Sequence, residues 1–291
     1  MSQKFPYLLG TLSPIPPYDF ALMINLLGRY THPVMEFAHE NSYWRTVHHR
    51  EGLVMVRVES KGDTDNPQLH IWVINANTPI DKNELLGQMA HILCIDLDYA
   101  PFYEFAKSYP PLWSVVEPMI GLHWLRTQTA FEALMHTIIE QQIAWVAAQK
   151  AQRWLVQWGG HFLEADGLRG YAFPTPTQIA QATVDELTPL KITFKRMGVM
   201  ISIAQMITTE KFNLEAILDM TAHEAYDVLV GIKGIGHWTA SWTLQRTLAV
   251  HHVVGHNDVA LQAAVGRYFF GIDGKVSPQA TSEERRVGKE C

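Results

Sequence analysis

Hydrophobic and polar positions alternate along three stretches in the first third of the chain. Residues 43–49, 53–59 and 68–75 follow this pattern, and Val54, Val56 and Val58 fall on one face of the second stretch. The intervening KGDTDNP segment is typical of a turn. Apolar positions at helical spacing in residues 18–30 and 80–95 predict helices beside the strands. The pattern therefore predicts a small α+β unit of antiparallel strands flanked by helices.

The pattern changes near Tyr109, beyond which the strand signal disappears. Apolar positions at helical spacing predict one long helical region and several shorter helices, over residues 130–158, 193–208, 221–230 and 237–250, with a further helix opening in FPTPTQIAQA. We therefore expect a mostly α fold with an N-terminal α+β domain of residues 1–108 and an all-α domain of residues 109–280. Residues 281–291 carry no apolar face, and we expect a disordered or foreign tail in place of the natural C-terminus.

Composition narrows the class of protein. The chain has 291 residues, 47% apolar and 18% charged, as in ordinary globular proteins. No run of about 18 apolar residues is present to span a bilayer, and we expect a cytosolic protein. With only two cysteines, a disulfide framework or a four-cysteine metal site within one chain is excluded. The formal net charge of -6 argues mildly against a nucleic-acid partner.

A glycine-rich connection joins the two helices predicted over residues 221–230 and 237–250. In VGIKGIGHWTASW, which begins at Val230, glycines at 231, 234 and 236 permit positive φ and close approach of another backbone. Amides around Gly234 and Gly236 lie at the start of the second helix, where unpaired N–H groups and the helix dipole attract an anion such as a DNA phosphate. The alternative is a glycine C-cap with no ligand.

Downstream, Asn257 or Asp258 is placed to cap a further helix, whose apolar face is predicted to be Leu261, Ala264, Val265 and Tyr268. The positive end of a helix dipole favours an ionised carboxylate. Asp258 thus suits charge stabilisation or water activation better than proton donation. The alternative is that Asp258 is only a helix cap.

The helix, glycine hairpin, second helix and following aspartate resemble the helix-hairpin-helix DNA glycosylases, in particular bacterial 3-methyladenine DNA glycosylase II. PPYDFALMINLLGRY, SYWRTV, AFEALMHTIIEQQIAWVAAQKA and FPTP are similar to other parts of those enzymes, so that the resemblance covers roughly residues 16–270. It implies a helix-hairpin-helix glycosylase fold and hydrolysis of the N-glycosidic bond of alkylated purines, such as 3-methyladenine and 7-methylguanine, flipped from duplex DNA.

The resemblance also assigns roles to residues of the active site. Asp258 falls on the family's catalytic aspartate, whose charge stabilises an oxocarbenium-like transition state and orients water. Bifunctional members carry a lysine where this chain has Trp238, which implies a monofunctional enzyme. Trp238 and Trp242 match the aromatic wall of the base pocket, on which a cationic alkylated base stacks favourably. The alternative for the two tryptophans is a packed helix face.

Further roles follow from the same resemblance. Gln142 lies where related enzymes carry an apolar wedge, and its alternative is a buried glutamine that ties helices together. The implied DNA-binding residues are Gly231, Lys233, Gly234, Gly236, His237 and Thr239. Backbone carbonyls of Val230, Ile232 and Ile235 are implied as ligands of Na+ or K+, and no other cofactor is expected.

The remaining charged residues receive lesser roles. A chain of negative net charge can hold a short length of DNA through a few local cations, namely Lys191, Lys195, Arg196 and Lys233. The negative net charge predicts weak non-specific binding at physiological salt. The spacing of His251, His252, His256 and Asp258 matches no zinc pattern. Four acidic residues are interpreted as surface or packing residues, namely Glu132, Glu140, Glu224 and Asp227.

Two classes of function remain open. The first is a cytoplasmic, nucleoid-associated, monomeric glycosylase that binds double-stranded DNA containing damaged bases and has no membrane partner, with hypoxanthine or ethenoadenine as other substrates. The second is a helix-hairpin-helix DNA-binding protein without chemistry. Related enzymes continue with a closing helix that bears a further pocket tryptophan. Because this chain runs from Ala280 into SEERRVGKEC, we expect a more open base pocket.

Overall fold

The computed structural model describes residues 4–28, 35–278 and 280–281. Its strands are β1 (Tyr7–Leu12), β2 (Glu36–His39), β3 (Ser42–His49), β4 (Gly52–Ser60), β5 (Leu69–Ala76), β6 (Phe162–Ala165) and β7 (Leu168–Tyr171). Its α-helices are α1 (Phe20–Leu27), α2 (Lys82–Ile92), α3 (Ala100–Lys107), α4 (Pro110–Val116), α5 (Ala130–Glu140), α6 (Trp145–Gly159), α7 (Pro176–Gln181), α8 (Phe194–Thr208), α9 (Ala222–Gly231), α10 (His237–Leu248) and α11 (Val259–Phe270).

The N-terminal sheet is antiparallel, with the strand order β1-β5-β4-β3-β2. Its register pairs Val56 with Val73 and Val58 with Ile71, and these side chains are fully buried against α1 and α2. The three predicted strands are confirmed as β3, β4 and β5, and the sheet adds β1 and β2 at its two edges. The predicted helix over residues 80–95 is confirmed as α2, for which the Asp81 side chain is the N-cap.

Helices α5 to α10 enclose a second core, with α5 at its centre. Leu134, Met135 and Ile138 on α5 are fully buried, and α10 packs along the same helix. The predicted fold class, mostly helical with a small antiparallel sheet in the N-terminal part, is confirmed. The boundary proposed near Tyr109 stays a prediction. Within the described residues, none of the helices combines the length and apolar character needed to span a membrane.

One sequence prediction about the helical part is wrong. The strand signal does not end near residue 109, because β6 and β7 form a hairpin around Asp166 and Gly167, both with positive φ. This hairpin packs on the sheet, where a Cβ on Gly170 would meet the side chains of Thr46 and Met55. The long helical region predicted over residues 130–158 consists of two helices, α5 and α6, separated by residues 141–144.

Three further predictions concern the first helix, the last helix and the tail. The helix predicted over residues 18–30 is α1, and its last two predicted residues lie outside the described part of the chain. On α11, Val265 is buried but Ala264 and Tyr268 are exposed, so the predicted apolar face is only partly correct. The predicted charged tail lies outside the described residues, apart from Thr281 at its start.

Candidate active site

The glycine hairpin between α9 and α10 packs against α8. Ile232 and Ile235 are buried, whereas Gly231, Lys233 and Gly236 are exposed. At the tip, Gly234 has φ +97°, and a Cβ at this position would lie 2.8 Å from Cγ2 of Val199 on α8. Both the backbone conformation and the close approach therefore require glycine. The next helix starts at His237, with Gly236 as an N-cap that supplies no side-chain hydrogen bond.

The side chains of His237 and Thr239 are engaged within the protein. One ring nitrogen of His237 lies 2.9 Å from the Tyr226 hydroxyl and the other 2.9 Å from the carbonyl oxygen of Val254. Thr239 is buried, and its hydroxyl accepts a hydrogen bond from Gln141. If His237 and Thr239 bind DNA, they would do so through their backbone amides and not through their side chains. The DNA-binding role of each residue stays a prediction.

Asp258 is the N-cap of α11 and a neighbour of α10. Its Oδ1 accepts a hydrogen bond from the Leu261 amide at 2.8 Å, and its Oδ2 accepts one from Nε1–H of Trp238 at 2.9 Å. The sequence left Asn257 and Asp258 as alternative caps, and the structure selects Asp258. A half-buried carboxylate held by two donors has a defined orientation, which suits it to stabilise positive charge at a fixed point.

Trp238 and Trp242 lie one helical turn apart on α10. Their ring centroids are 6.2 Å apart, and a Cβ on Gly255 would lie 3.3 Å from Cδ1 of Trp238 and 3.5 Å from Nε1 of Trp242. Trp238 borders the cleft that contains Asp258, whereas the Trp242 ring faces the Arg246 guanidinium at 5.9 Å. Nε1 of Trp242 is buried and has no hydrogen-bond partner among the described residues. The two indoles are thus in different environments.

The break between α5 and α6 contains the predicted wedge residue. Gln142 is exposed and has φ +51°, a left-handed conformation that costs a non-glycine residue about 1–2 kcal/mol. The neighbouring Gln141 donates a hydrogen bond to Thr239 at 2.9 Å. The helix-tying role considered for Gln142 is therefore performed by Gln141, and Gln142 itself projects from a constrained loop.

These elements surround an open cleft of about 860 Å³. Its lining is Ile138, Glu140, Gln141, Gln142, Ile143, Thr193, Lys195, Arg196, Val199, Gly234, Trp238, Thr239, Asn257, Asp258 and Val259. Of the four predicted cations, Lys195 and Arg196 line the cleft. Burial lowers the pKa of Arg196, and its Nη1 is buried without a hydrogen-bond partner in the described part of the chain. The cleft therefore brings together a fixed carboxylate, an indole, a polar loop and two cations.

Sequence reasoning missed an ion pair between Glu140, which lines this cleft, and Arg246. Arg246 Nη2 lies 2.7 Å from Oε2 of Glu140, and its Nη1 donates to Thr137 at 2.9 Å. Glu140 also borders a second cavity of about 200 Å³. The interpretation of Glu140 as a surface or packing residue is thus incomplete. Arg246 follows Trp238 and Trp242 at four-residue spacing, which was the available signal.

The second cavity lies between the sheet and the helices. Arg45 forms buried ion pairs there with Glu132, at 2.7 Å, and with Glu36, at 2.7 Å. His136 also lines the cavity, and burial lowers its pKa to about 3, so that it is neutral at physiological pH. The predicted packing role of Glu132 is consistent with its buried contact to Arg45. These charges fix the α5 helix against the sheet.

The predicted monovalent cation site consists of backbone carbonyls in the hairpin. The Ile232 carbonyl already accepts a hydrogen bond from the Ile235 amide at 3.0 Å, which leaves one lone pair for a cation. Carbonyl oxygens are suitable ligands for such an ion, and the site stays a prediction. Within the described residues, no group of three His, Cys, Asp or Glu side chains is arranged to hold a metal ion.

Comparison with known proteins shows that this chain is similar to DNA-3-methyladenine glycosylases. No family model matches the chain. It is 29% identical over 200 residues to a DNA-3-methyladenine glycosylase of Bacillus subtilis (strain 168), covering 68% of this chain and 66% of that protein. It is 27% identical over 236 residues to DNA-3-methyladenine glycosylase 2 of Escherichia coli (strain K12), covering 80% and 78% of the two chains.

A solved structure shares the fold over nearly the whole chain. The 3-methyladenine DNA-glycosylase from Archaeoglobus fulgidus superposes with a TM-score of 0.81 at 22% identity, covering 95% of this chain and 92% of that one. The fold expected from the sequence resemblance is thereby confirmed.

Proposed function

We propose that this chain is a helix-hairpin-helix DNA glycosylase, an enzyme that hydrolyses N-glycosyl bonds, and that it acts in base-excision repair on alkylated purines. The proposed substrates are 3-methyladenine and 7-methylguanine, released by water from a nucleotide flipped out of duplex DNA. The similarity to proteins named DNA-3-methyladenine glycosylase supports this substrate class.

The observation that carries the proposal is the carboxylate of Asp258 in the cleft beside the hairpin. Cleavage of an N-glycosidic bond develops positive charge on the sugar, and a fixed carboxylate near C1′ stabilises that charge and orients water. The amide of Leu261 and the indole of Trp238 hold Asp258 from two directions, so that it does not need to reorganise during the reaction.

The face of Trp238 supplies selectivity for the damaged base. Methylation at purine N3 or N7 makes the ring cationic, and a cation over an indole gains roughly 0.5–2 kcal/mol. The same positive charge weakens the glycosidic bond, so that the leaving base needs no general acid. The Trp242 ring lies 6.2 Å from that of Trp238, between centroids, and faces the Arg246 guanidinium at 5.9 Å.

Duplex DNA is the proposed partner, held at the hairpin and opened by the loop at Gln142. The exposed backbone at Gly231, Lys233 and Gly236 is suited to hold one phosphate, with Na+ or K+ on the hairpin carbonyls as a second contact. The left-handed conformation of Gln142 supports a wedge role, because strain of this kind is found at functional loops. A monomer acting on DNA in the cytoplasm remains our prediction.

The product distinguishes a monofunctional enzyme from a lyase. The side chain hydrogen-bonded to Asp258 is an indole, which cannot form the Schiff base that a lysine forms at this position. We therefore expect an abasic site in an uncut strand, visible as full-length DNA on a denaturing gel that becomes cleaved only after treatment with alkali.

The central test compares wild type with Asp258→Asn on duplex DNA treated with a methylating agent, resolving released bases by chromatography. Asparagine retains an acceptor for the Leu261 amide and is a good N-cap, so the variant should fold. We expect release of 3-methyladenine and 7-methylguanine to fall at least about a hundredfold, with DNA binding retained. Equal release by both proteins contradicts the catalytic role of Asp258.

The same assay addresses the alternative functions. If both proteins bind DNA and neither releases a base, the chain acts as a DNA-binding module. Duplexes containing hypoxanthine or ethenoadenine extend the test to neutral damaged bases. Because those bases gain less from stacking on Trp238, we expect them to be released more slowly than 3-methyladenine.

A further inference from the structure

The segment between α10 and α11, residues 249–257, carries Asp258 to the cleft without a helix or strand of its own. Two backbone hydrogen bonds fold its last residues into a turn. The Asp258 amide donates to the Gly255 carbonyl at 2.7 Å, and the His256 amide donates to the Val254 carbonyl at 2.9 Å. The position of Asp258 therefore depends on what fixes this turn.

A side chain of α10 holds the turn at Val254. Nε2 of His237, the first residue of α10, lies 2.9 Å from the Val254 carbonyl oxygen. The His237 ring also packs on the His256 ring, with centroids 4.8 Å apart. The next residue, Trp238, donates to Oδ2 of Asp258. The first two residues of α10 thus restrain both the backbone of the turn and the carboxylate that follows it.

Tyr226 on α9 fixes the state of the His237 ring. Its hydroxyl lies 2.9 Å from Nδ1 of His237. Because a carbonyl oxygen only accepts, Nε2 must carry a proton to bond Val254, and in the neutral ring Nδ1 then accepts from the Tyr226 hydroxyl. The imidazole therefore makes a hydrogen bond of defined direction to the turn, and both of its nitrogens are engaged.

We propose that His237 is a positioning residue, which holds the turn at Val254 so that Asp258 faces the sugar of the extruded nucleotide. This inference rests on the proposed function, which assigns Asp258 to cleavage of the glycosidic bond. Displacement of a reacting group by about 1 Å can lower a rate by about 100-fold. Loss of the His237 contact should therefore slow base release, while the hairpin still binds DNA.

Two substitutions separate the hydrogen bond from the rest of the side chain. His237→Leu removes both ring nitrogens, whereas His237→Gln keeps an N–H donor for the Val254 carbonyl. Single-turnover release of 3-methyladenine from methylated duplex is measured at saturating enzyme, where a loss of folded protein lowers the amplitude and not the rate constant. We expect the rate constant to fall about 10- to 100-fold in the leucine variant and much less in the glutamine variant, with the DNA affinity of both unchanged.

His223→Leu is the matched control, because His223 lies on α9 with its side chain 87% exposed. This variant should release base at the wild-type rate. A wild-type rate constant for His237→Leu, or an equal loss in the leucine and glutamine variants of His237, overturns the inference.

Hydrogen exchange supplies an arm that does not depend on catalysis. The amides of His256 and Asp258, which are bonded within the turn, should exchange faster in His237→Leu than in wild type and at close to the wild-type rate in His237→Gln. Unchanged exchange in His237→Leu overturns the inference. If wild type releases no base, the proposed function fails, and the exchange rates still decide whether His237 holds the turn.

Discussion

Replacing Trp238 with phenylalanine separates the two roles proposed for this side chain. The variant retains an aromatic face toward the cleft but loses Nε1–H, which donates to Oδ2 of Asp258 at 2.9 Å. The carboxylate keeps its hydrogen bond from the Leu261 amide through Oδ1. Asp258 would then be held from one direction instead of two, and its reactive oxygen would lose a fixed position relative to the sugar.

The size of the effect follows from the kind of hydrogen bond that is lost. A hydrogen bond to a charged group contributes about 1.5–3 kcal/mol. If the full contribution acts in the transition state, kcat falls by roughly 10- to 150-fold. Since the aromatic face remains, KM should change little. Trp238→Ala should raise KM as well, because it also removes the stacking surface.

Trp242→Phe is the matched control for this experiment. It makes the same chemical change one turn further along α10, but Nε1 of Trp242 has no hydrogen-bond partner among the described residues. We expect this variant to keep its kcat. Single-turnover release of 3-methyladenine from methylated duplex measures the chemical step, and urea unfolding shows whether either variant is destabilised. Equal rates for wild type and Trp238→Phe would refute the positioning role.

Three further predictions concern stability, each measured by urea unfolding. Gly234→Ala places a Cβ against α8 at positive φ and should cost more than about 1 kcal/mol, whereas Gly236→Ala, with φ -101° and open space, should cost less. Glu132→Gln removes a buried partner of Arg45 and should cost roughly 3–5 kcal/mol; a loss below 1 kcal/mol would contradict the importance of this pair. Because burial lowers the pKa of His136 from 6.5 to about 3, only the unfolded chain gains this proton as pH falls below 6.5, and stability decreases. In the His136→Gln variant, the decrease in the free energy of unfolding on acidification should be smaller by up to about 1.4 kcal/mol per pH unit. If the variant and wild type lose the same free energy of unfolding between pH 7 and pH 5, His136 is not the source of the loss.

The parts of the site that are local in sequence could be predicted before the structure was known. Three glycines between two helical patterns indicate a hairpin, and an aspartate before an apolar-periodic segment indicates a cap. Both features depend on backbone requirements that act over a few residues. The resemblance to known glycosylases added the proposed roles of Asp258 and Trp238, which composition and spacing alone leave open.

Features that depend on long-range packing could not be predicted in this way. Glu140 and Arg246 are 106 residues apart, and only the packing of α5 against α10 brings them together. The exposure of the Phe194 side chain at the start of α8 likewise depends on how the neighbouring elements pack, and the sequence alone does not show that packing. The β6–β7 hairpin is different, because Asp166 and Gly167 form a recognisable two-residue turn signal that was missed beside very short strands.

Helix α5 explains how a strained loop can keep a defined position beside Asp258. At its N-terminal end, Glu132 pairs with Arg45 of the sheet. At its C-terminal end, Glu140 pairs with Arg246, whose helix also carries Trp238. Ion pairs thus fix both ends of α5 to other elements. The loop of residues 141–144 begins directly after α5, so its position is restrained as well.

This arrangement links the sheet to the cleft, although none of the described residues of the sheet lines the cleft. If Arg45 loses its partner on α5, the helix end that carries Glu140 is less restrained, and so is the loop with Gln142. Substitutions at the sheet–helix boundary should therefore lower the rate on duplex DNA, which must be opened, more than the rate on single-stranded DNA. Equal losses on the two substrates would instead indicate a general loss of folded protein.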